Sequence, residues 1–300
     1  MPDDENILPE SLGRTHATSQ GEVWLHWSAR TDCGRFRKNN EDSFLALTVN
    51  GWEVARLGSY GEMKLERRDC LFAVSDGMGG QNSGEFASRI AVDNITRLIP
   101  RTFRAGAEGM PTGFADVLME LFHRIHSEME RYSRVYEECR NMGATLSLAW
   151  FAPGWMFFGH IGDSRIYYLP AEGGLRQITQ DDTHVGWLRR EGKINEREHR
   201  THPRRNSLAK ALGAGHRYVD PQIGAVSCVA GDRFLICSDG VVDGLWDRAI
   251  EDHMRSPRPA TAGLLPAERL VREALEGGSR DNTTALVIEV RDGPSDQPAE

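Results

Sequence analysis

Apolar positions along the chain follow two different periods. The runs "VWLHWSA" from Val23, "SFLALTV" from Ser43, "CLFAVSD" from Cys70, "ATLSLAWF" from Ala144, "WMFFGHIGDSRIYYL" from Trp155, "DRFLICSD" from Asp232 and "TALVIEV" from Thr284 are short and rich in β-branched and aromatic residues. Bounded by Gly, Pro, Asn or Asp, they predict strands. Ser83 to Ile99 and Gly113 to Cys139 instead carry apolar residues three and four apart, the spacing of amphipathic helices, with Ser83 placed to cap the first. A turn bearing Gly and Pro joins the two. Strands, then helices, then strands predict an α+β layered domain with antiparallel sheet, not a βαβ repeat.

Residues 22–291 read as one continuous domain. The polar, aperiodic segments 1–21 and 292–300 are expected to be flexible tails. Residues 180–212, "QDDTHVGWLRREGKINEREHRTHPRRNSLAKAL", are dense in both charges and have helical spacing in their middle. This segment is either a solvated helical connection or a flap over a site for an anion. Residues 50–69 are expected to form an enlarged surface hairpin or loop.

Composition narrows the class of function. The chain has 300 residues, 39% of them hydrophobic, enough for a large core, and its formal charge of -8 disfavours general nucleic-acid binding. Five scattered cysteines, Cys33, Cys70, Cys139, Cys228 and Cys237, without a Cys-x-x-Cys pair, point to reduced thiols. The start "MPDDENILPE" lacks the apolar core of a signal peptide, and no run is long enough to span a bilayer. A cytoplasmic protein is the expectation.

Chemistry enters through acids at strand ends. Asp76 and Asp239 each close an apolar run in a Ser-Asp-Gly triplet, Asp281 precedes the last run, and Glu41 and Asp42 precede an early one. Antiparallel pairing of those strands would gather the acids at one edge. Clustered carboxylates need protons or cations. With no His or Cys beside them they suit hard ions such as Mg²⁺ or Mn²⁺, and two such ions can activate water against a phosphoryl group. Arg37, in "TDCGRFRKNNEDSF", has the planar fork that grips two phosphoryl oxygens.

"TDCGRFRKNNEDSF", "LFAVSDGMGG", "GATLSLAW", "GHIGDSRIYYL", "LICSDG" and "SRDNTTALVI" occur in the order and approximate spacing of the metal-dependent Ser/Thr protein phosphatases, the PPM or type 2C family, in its bacterial form. Over residues 22–291 the chain resembles this family. The resemblance implies a four-layer αββα sandwich, two central antiparallel sheets flanked by helices, with a metal centre at one edge. It implies that Asp76 bridges two Mn²⁺ or Mg²⁺ ions, that Asp239 and Asp281 complete one, and that the Gly77 carbonyl and Glu41, through water, hold the other. It further implies that Asp42 orients water, that Arg37 binds the substrate phosphate, and that Asp163 shares a third, weakly held ion with Asp239. Phosphoserine and phosphothreonine in proteins would be hydrolysed in one in-line step by a dimetal-bridged hydroxide, in opposition to a Ser/Thr kinase.

One departure concerns catalysis. Many relatives have His after Asp-Gly, whereas this chain has Met78, whose thioether cannot donate a proton. His160 is expected to be a hydrogen-bonded core residue and Thr145 structural. His184, His199 and His202 are expected at the solvated surface, with His202 or Arg204 as lesser candidates for substrate contact. Two rival functions remain at this point: a phosphoprotein-binding pseudophosphatase, disfavoured because every metal acid is present, and a metallohydrolase of small phosphate esters or nucleotides, which would need a deep base-binding pocket and is disfavoured by the lack of a Gly-rich nucleotide loop.

Overall fold

The computed structural model describes residues 22–293 except 51–52, 67, 80–82, 100–110 and 257. The N-terminal tail, all but 292–293 of the C-terminal one, and the turn between the two long helices lie outside the described residues. From the N-terminus come β1 (Trp24–Asp32), β2 (Asp42–Asn50), β3 (Glu53–Arg56), β4 (Tyr60–Lys64), β5 (Asp69–Met78), α1 (Ser83–Leu98) and α2 (Pro111–Val135). Next are β6 (Gly143–Ala144), β7 (Leu146–Ala152), β8 (Trp155–Ile161), β9 (Arg165–Leu169), β10 (Arg176–Gln177), α3 (His184–Arg190) and α4 (Glu196–Thr201). The chain then forms β11 (Leu212–Gly213), β12 (Gln222–Ser227), β13 (Arg233–Cys237), α5 (Asp239–Gly244), α6 (Asp247–Arg255), α7 (Pro266–Glu276) and β14 (Thr283–Arg291).

Among the described residues the strands make two antiparallel sheets. One runs β10-β9-β13-β14-β1-β4; the other runs β11-β6-β5-β7-β8-β12, with β2 on β5 and β3 on β2. The alternation of side chains along each strand explains the layering. On β5, Leu71 and Ala73 pack with Ile90, Ile95, Leu118 and Phe122 of α1 and α2, while Cys70, Phe72 and Val74 face the other sheet. On β13, Phe234 and Ile236 join that inter-sheet core, and Leu235 and Cys237 turn to Val241, Ile250 and Leu270 of α5 to α7. Three cores between four layers make the expected αββα sandwich. Both faces of the central strands are buried, so their sequences read as nearly unbroken apolar runs.

Several boundaries differ from the sequence reading. The run 155–169 is two strands, broken where Gly162 adopts φ +108°, and that break presents Asp163 at a turn. Asp239 does not end a strand: β13 stops at Cys237, Ser238 has extended backbone, and Asp239 opens α5. The second long helix ends at Val135, and Glu137–Cys139 tightens into a separate 3₁₀ turn. Ser83 is the first residue of α1, and its hydroxyl donates to the Glu138 carbonyl at 2.6 Å, tying the helix to that turn. The 50–69 segment is not one hairpin. β3 extends the sheet of β2 while β4 pairs with β1, so the insertion widens both sheets.

Candidate metal and phosphate site

The strand register assembles the acids. β2 runs antiparallel to β5 with Asp42 opposite Asp76, and β5 continues past Asp76 into Gly77, which pairs with Ala144. The neighbouring sheet supplies Asp239 after β13 and Asp281 before β14, strands that lie side by side. Asp163, at the β8–β9 turn, completes the group. The negative charges of Asp42, Asp239, Asp163 and Asp281 all act on Asp76, so residues drawn from five chain segments of both sheets meet at one edge of the sandwich.

The serines of the two Ser-Asp-Gly triplets are both fully buried and fix this edge. Ser75 donates to the Thr145 carbonyl at 2.7 Å, and the Thr145 hydroxyl accepts from the Asp76 amide at 3.0 Å and lies 2.7 Å from Ser164 Oγ. Ser238 joins the two sheets: its Oγ donates to Asp42 Oδ2 at 2.7 Å and accepts from the Thr284 amide at 3.0 Å. Asn282 holds the loop before β2, accepting from the Glu41 amide at 2.8 Å and donating to the carbonyls of Cys33 and Asn39 at 3.0 and 2.9 Å. The Glu41 carboxylate and the Gly77 carbonyl meet over Gly84, where a methyl group would lie 2.6 Å from the first and 2.9 Å from the second.

Electrostatically the cluster is overloaded. Burial raises Asp76 and Asp239 well above the usual carboxylate range, and neighbouring acids raise them further. Burial pushes Asp42 up to about 6 against the hydrogen bond from Ser238, and burial with the nearby Asp181 charge pushes Asp163 up to about 7. Glu41 is also raised by burial, partly offset by Arg37. Asp42 Oδ1 and Asp239 Oδ1 are buried without a hydrogen-bond partner among the described residues.

Oxygen donors of this kind suit a hard cation, and unpartnered buried carboxylate oxygens are where one would bind. Among the described residues no three His, Cys, Asp or Glu side chains are already gathered tightly enough to hold one ion. Asp281 is paired instead with Arg37, Nη2 to Oδ2 at 2.6 Å, and that hydrogen bond is the main cause raising the pKa of Arg37. The two residues expected to bind cation and phosphate thus neutralise each other.

The 180–212 segment is anchored beside this cluster. Asp181 is gripped by buried Arg165 through two hydrogen bonds of 2.9 and 2.6 Å, which hold its carboxyl far below the usual range, and Asp182 Oδ2 accepts from the Gly162 amide at 3.0 Å. Arg200 donates to the carbonyls of Leu245 and Asp243. Asp163, Asp239, Arg189, His199 and Arg205 border a small cleft of about 40 Å³, room for a few waters. His199 is a correction: it is 8% exposed and lies 3.5 Å from Asp181, because α4 turns it inward. His184 is exposed and stacks on Trp187, and His202 accepts from the Arg204 amide at 3.1 Å. His160 is a core residue as expected, 2.8 Å from Ser147 Oγ and 3.1 Å from the Gly162 carbonyl.

Ser238, Asn282 and Gly84 build the site beyond the candidates that stand out in the sequence. The repeated Ser before Asp-Gly was the available signal for Ser238, and the Asn beside Asp281 for Asn282. Nothing local marks Gly84, whose role arises from a contact with Gly77 and Glu41.

A two-sheet sandwich with acids converging at one edge is the architecture of metal-dependent protein phosphatases. Residues 60–276 match the sequence model of protein phosphatase 2C. The chain is 35% identical over 271 residues to the serine/threonine protein phosphatase PstP of Mycobacterium tuberculosis, covering 89% of this chain and 45% of that protein. It is 30% identical over 266 residues to the serine/threonine phosphatase stp of Listeria monocytogenes, covering 88% of this chain and 96% of that one. The crystal structure of the catalytic domain of PstP, in complex with two manganese ions, superposes with a TM-score of 0.67 at 31% identity, covering 90% of this chain and 99% of that one. The chain thus spans about 45% of the length of the mycobacterial relative. It belongs to the protein phosphatase 2C family of metal-dependent serine/threonine protein phosphatases.

Proposed function

We propose that this protein hydrolyses phosphoserine and phosphothreonine in phosphorylated proteins, in one step with water as nucleophile, in opposition to a Ser/Thr kinase. The observation that carries the reading is the meeting of Asp76, Asp239, Asp163, Asp42 and Asp281 at one edge of the sandwich, with two carboxylate oxygens lacking any partner among the described residues. Asp76, Asp239 and Asp281, with Glu41 and the Gly77 carbonyl, would hold two Mn²⁺ or Mg²⁺ ions, and Asp163 with Asp239 a third. Bound there, such ions bring the pKa of water toward neutrality and offset the charge of phosphoryl oxygens.

The chain's own groups have separable tasks. Arg37 stands at the exposed rim, where a substrate phosphate competes with Asp281 for its guanidinium. Asp42 has one oxygen fixed by Ser238 and the other free to accept a hydrogen bond from the attacking water. Ser75 and Ser238 are buried with their hydroxyls donated to Thr145 and Asp42, so neither is available as a covalent nucleophile. The test is turnover of phosphothreonine peptides in chelator and after adding back Mn²⁺, with Asp239→Asn as control. Activity should vanish, return with Mn²⁺, and stay absent in the variant. Undiminished turnover after metal removal would overturn the reading.

A further inference from the structure

A cationic, aromatic tip projects beside Arg37 although the chain as a whole carries a formal charge of -8. The segment 35–38, Arg-Phe-Arg-Lys, is exposed throughout, and Phe36 shows 64% of its surface. The Arg280 guanidinium sits 5.7 Å from the Phe36 ring centroid, which brings a cation from the loop before β14 to the same tip. The loop is not free to wander: Asn282 pins the carbonyls of Cys33 and Asn39 on either side of it, and Arg37 is paired to Asp281. Arg35, Lys38 and Arg280 make no hydrogen bond or ion pair among the described residues. Most other exposed arginines of the molecule are paired with carboxylates, as Arg89 with Glu85, Arg131 with Glu128 and Arg272 with Glu276.

We infer that Arg35, Lys38 and Arg280 form a second anion-reading surface beside the reactive phosphate, and that its occupant is another phosphate on the same peptide, a few residues from the one hydrolysed. The inference rests on the phosphatase reading and adds the substrate class. Three unpaired cations match a phosphate dianion better than a single carboxylate, and two of them are guanidinium forks with the geometry of phosphate oxygens. Phe36, exposed beside these cations, offers the peptide an apolar contact.

The test uses three phosphothreonine peptides: one otherwise neutral, one with a non-hydrolysable phosphonate two residues away, and one with Glu there. Three surface cation contacts of ordinary strength give about a tenfold higher kcat/KM for the phosphonate peptide, shrinking as salt rises. The Glu peptide should gain clearly less. In the triple variant Arg35→Ala/Lys38→Ala/Arg280→Ala the preference should disappear while hydrolysis of p-nitrophenyl phosphate stays at the level of the parent. Affinity of the three peptides for the Asp239→Asn protein is measured in parallel. Equal kcat/KM on all three peptides overturns this inference and leaves the phosphatase reading standing, and a Glu peptide as good as the phosphonate one overturns the assignment to phosphate. Absence of turnover with the binding preference intact supports the surface and overturns the phosphatase reading alone.

Discussion

Replacing Ser238 by Ala removes one hydroxyl that serves both sheets. Its loss strands the Thr284 amide and one oxygen of Asp42, both in the interior: Ser238 and Thr284 are fully buried and Asp42 is 7% exposed. An unsatisfied buried amide costs about 1–3 kcal/mol. The Asp42 contribution is limited by protonation. Its carboxyl already stands at about 6, and losing the Ser238 hydrogen bond, which lowers it, moves it higher still. Each further unit adds about 1.4 kcal/mol to the cost at a pH where the parent's Asp42 is ionised, and nothing at a pH where both are protonated. The sum is about 2–4 kcal/mol at pH 8. Urea denaturation of parent and variant in chelator, at pH 8 and pH 5, measures it. The gap between them should narrow at the lower pH. A loss below about 0.5 kcal/mol, the size of an ordinary surface change, or a gap independent of pH, would refute the bridging role.

Other consequences are open to measurement. Arg37→Ala should lower kcat/KM on phosphopeptides about ten- to a hundredfold, with Arg37→Lys restoring only part, since a point charge cannot replace the fork. Asp163→Ala should slow phosphopeptides much more than p-nitrophenyl phosphate, because a serine or threonine alkoxide needs a proton that Met78 cannot supply, while nitrophenolate does not; equal losses would point to a role in folding or positioning. In chelator the protein should be more stable at pH 6 than at pH 8. Acids whose folded pKa is raised stabilise fully below about 4 and lose that contribution as pH rises through the folded value, and Asp163 at about 7 alone accounts for about 1.4 kcal/mol over this interval. His160, lowered by burial to about 4, acts oppositely but mainly below pH 6.5, and saturating Mn²⁺ should flatten the slope because the cation replaces the protons.

The layered fold was legible because strands buried on both faces write their apolar content without interruption, and "LFAVSDG" and "FLICSDG" lie side by side in no single sheet yet end at the same edge. The acids could be found at the ends of apolar runs, and their convergence is a matter of register that only pairing of β2 with β5 and of β13 with β14 fixes. Less was readable where one contact decides. Gly162 breaks a run that composition alone joins, α4 turns His199 inward from a segment that looks solvated, and β3 and β4 enter different sheets from one insertion. The Arg37–Asp281 pair belongs to this class too, since its partners stand 244 positions apart in sequence.

The two central sheets act as party walls. Leu71 and Phe72 are adjacent in sequence but belong to different cores, as do Leu235 and Phe234, so slipping either strand by one position would exchange the contents of both neighbouring compartments and swing Asp76 or Asp239 away from the edge. Neither outer layer of helices can peel away without baring a whole apolar wall. The sandwich should therefore melt as a single cooperative unit, and neither half has a seam at which natural selection or an engineer could detach it as a separate module.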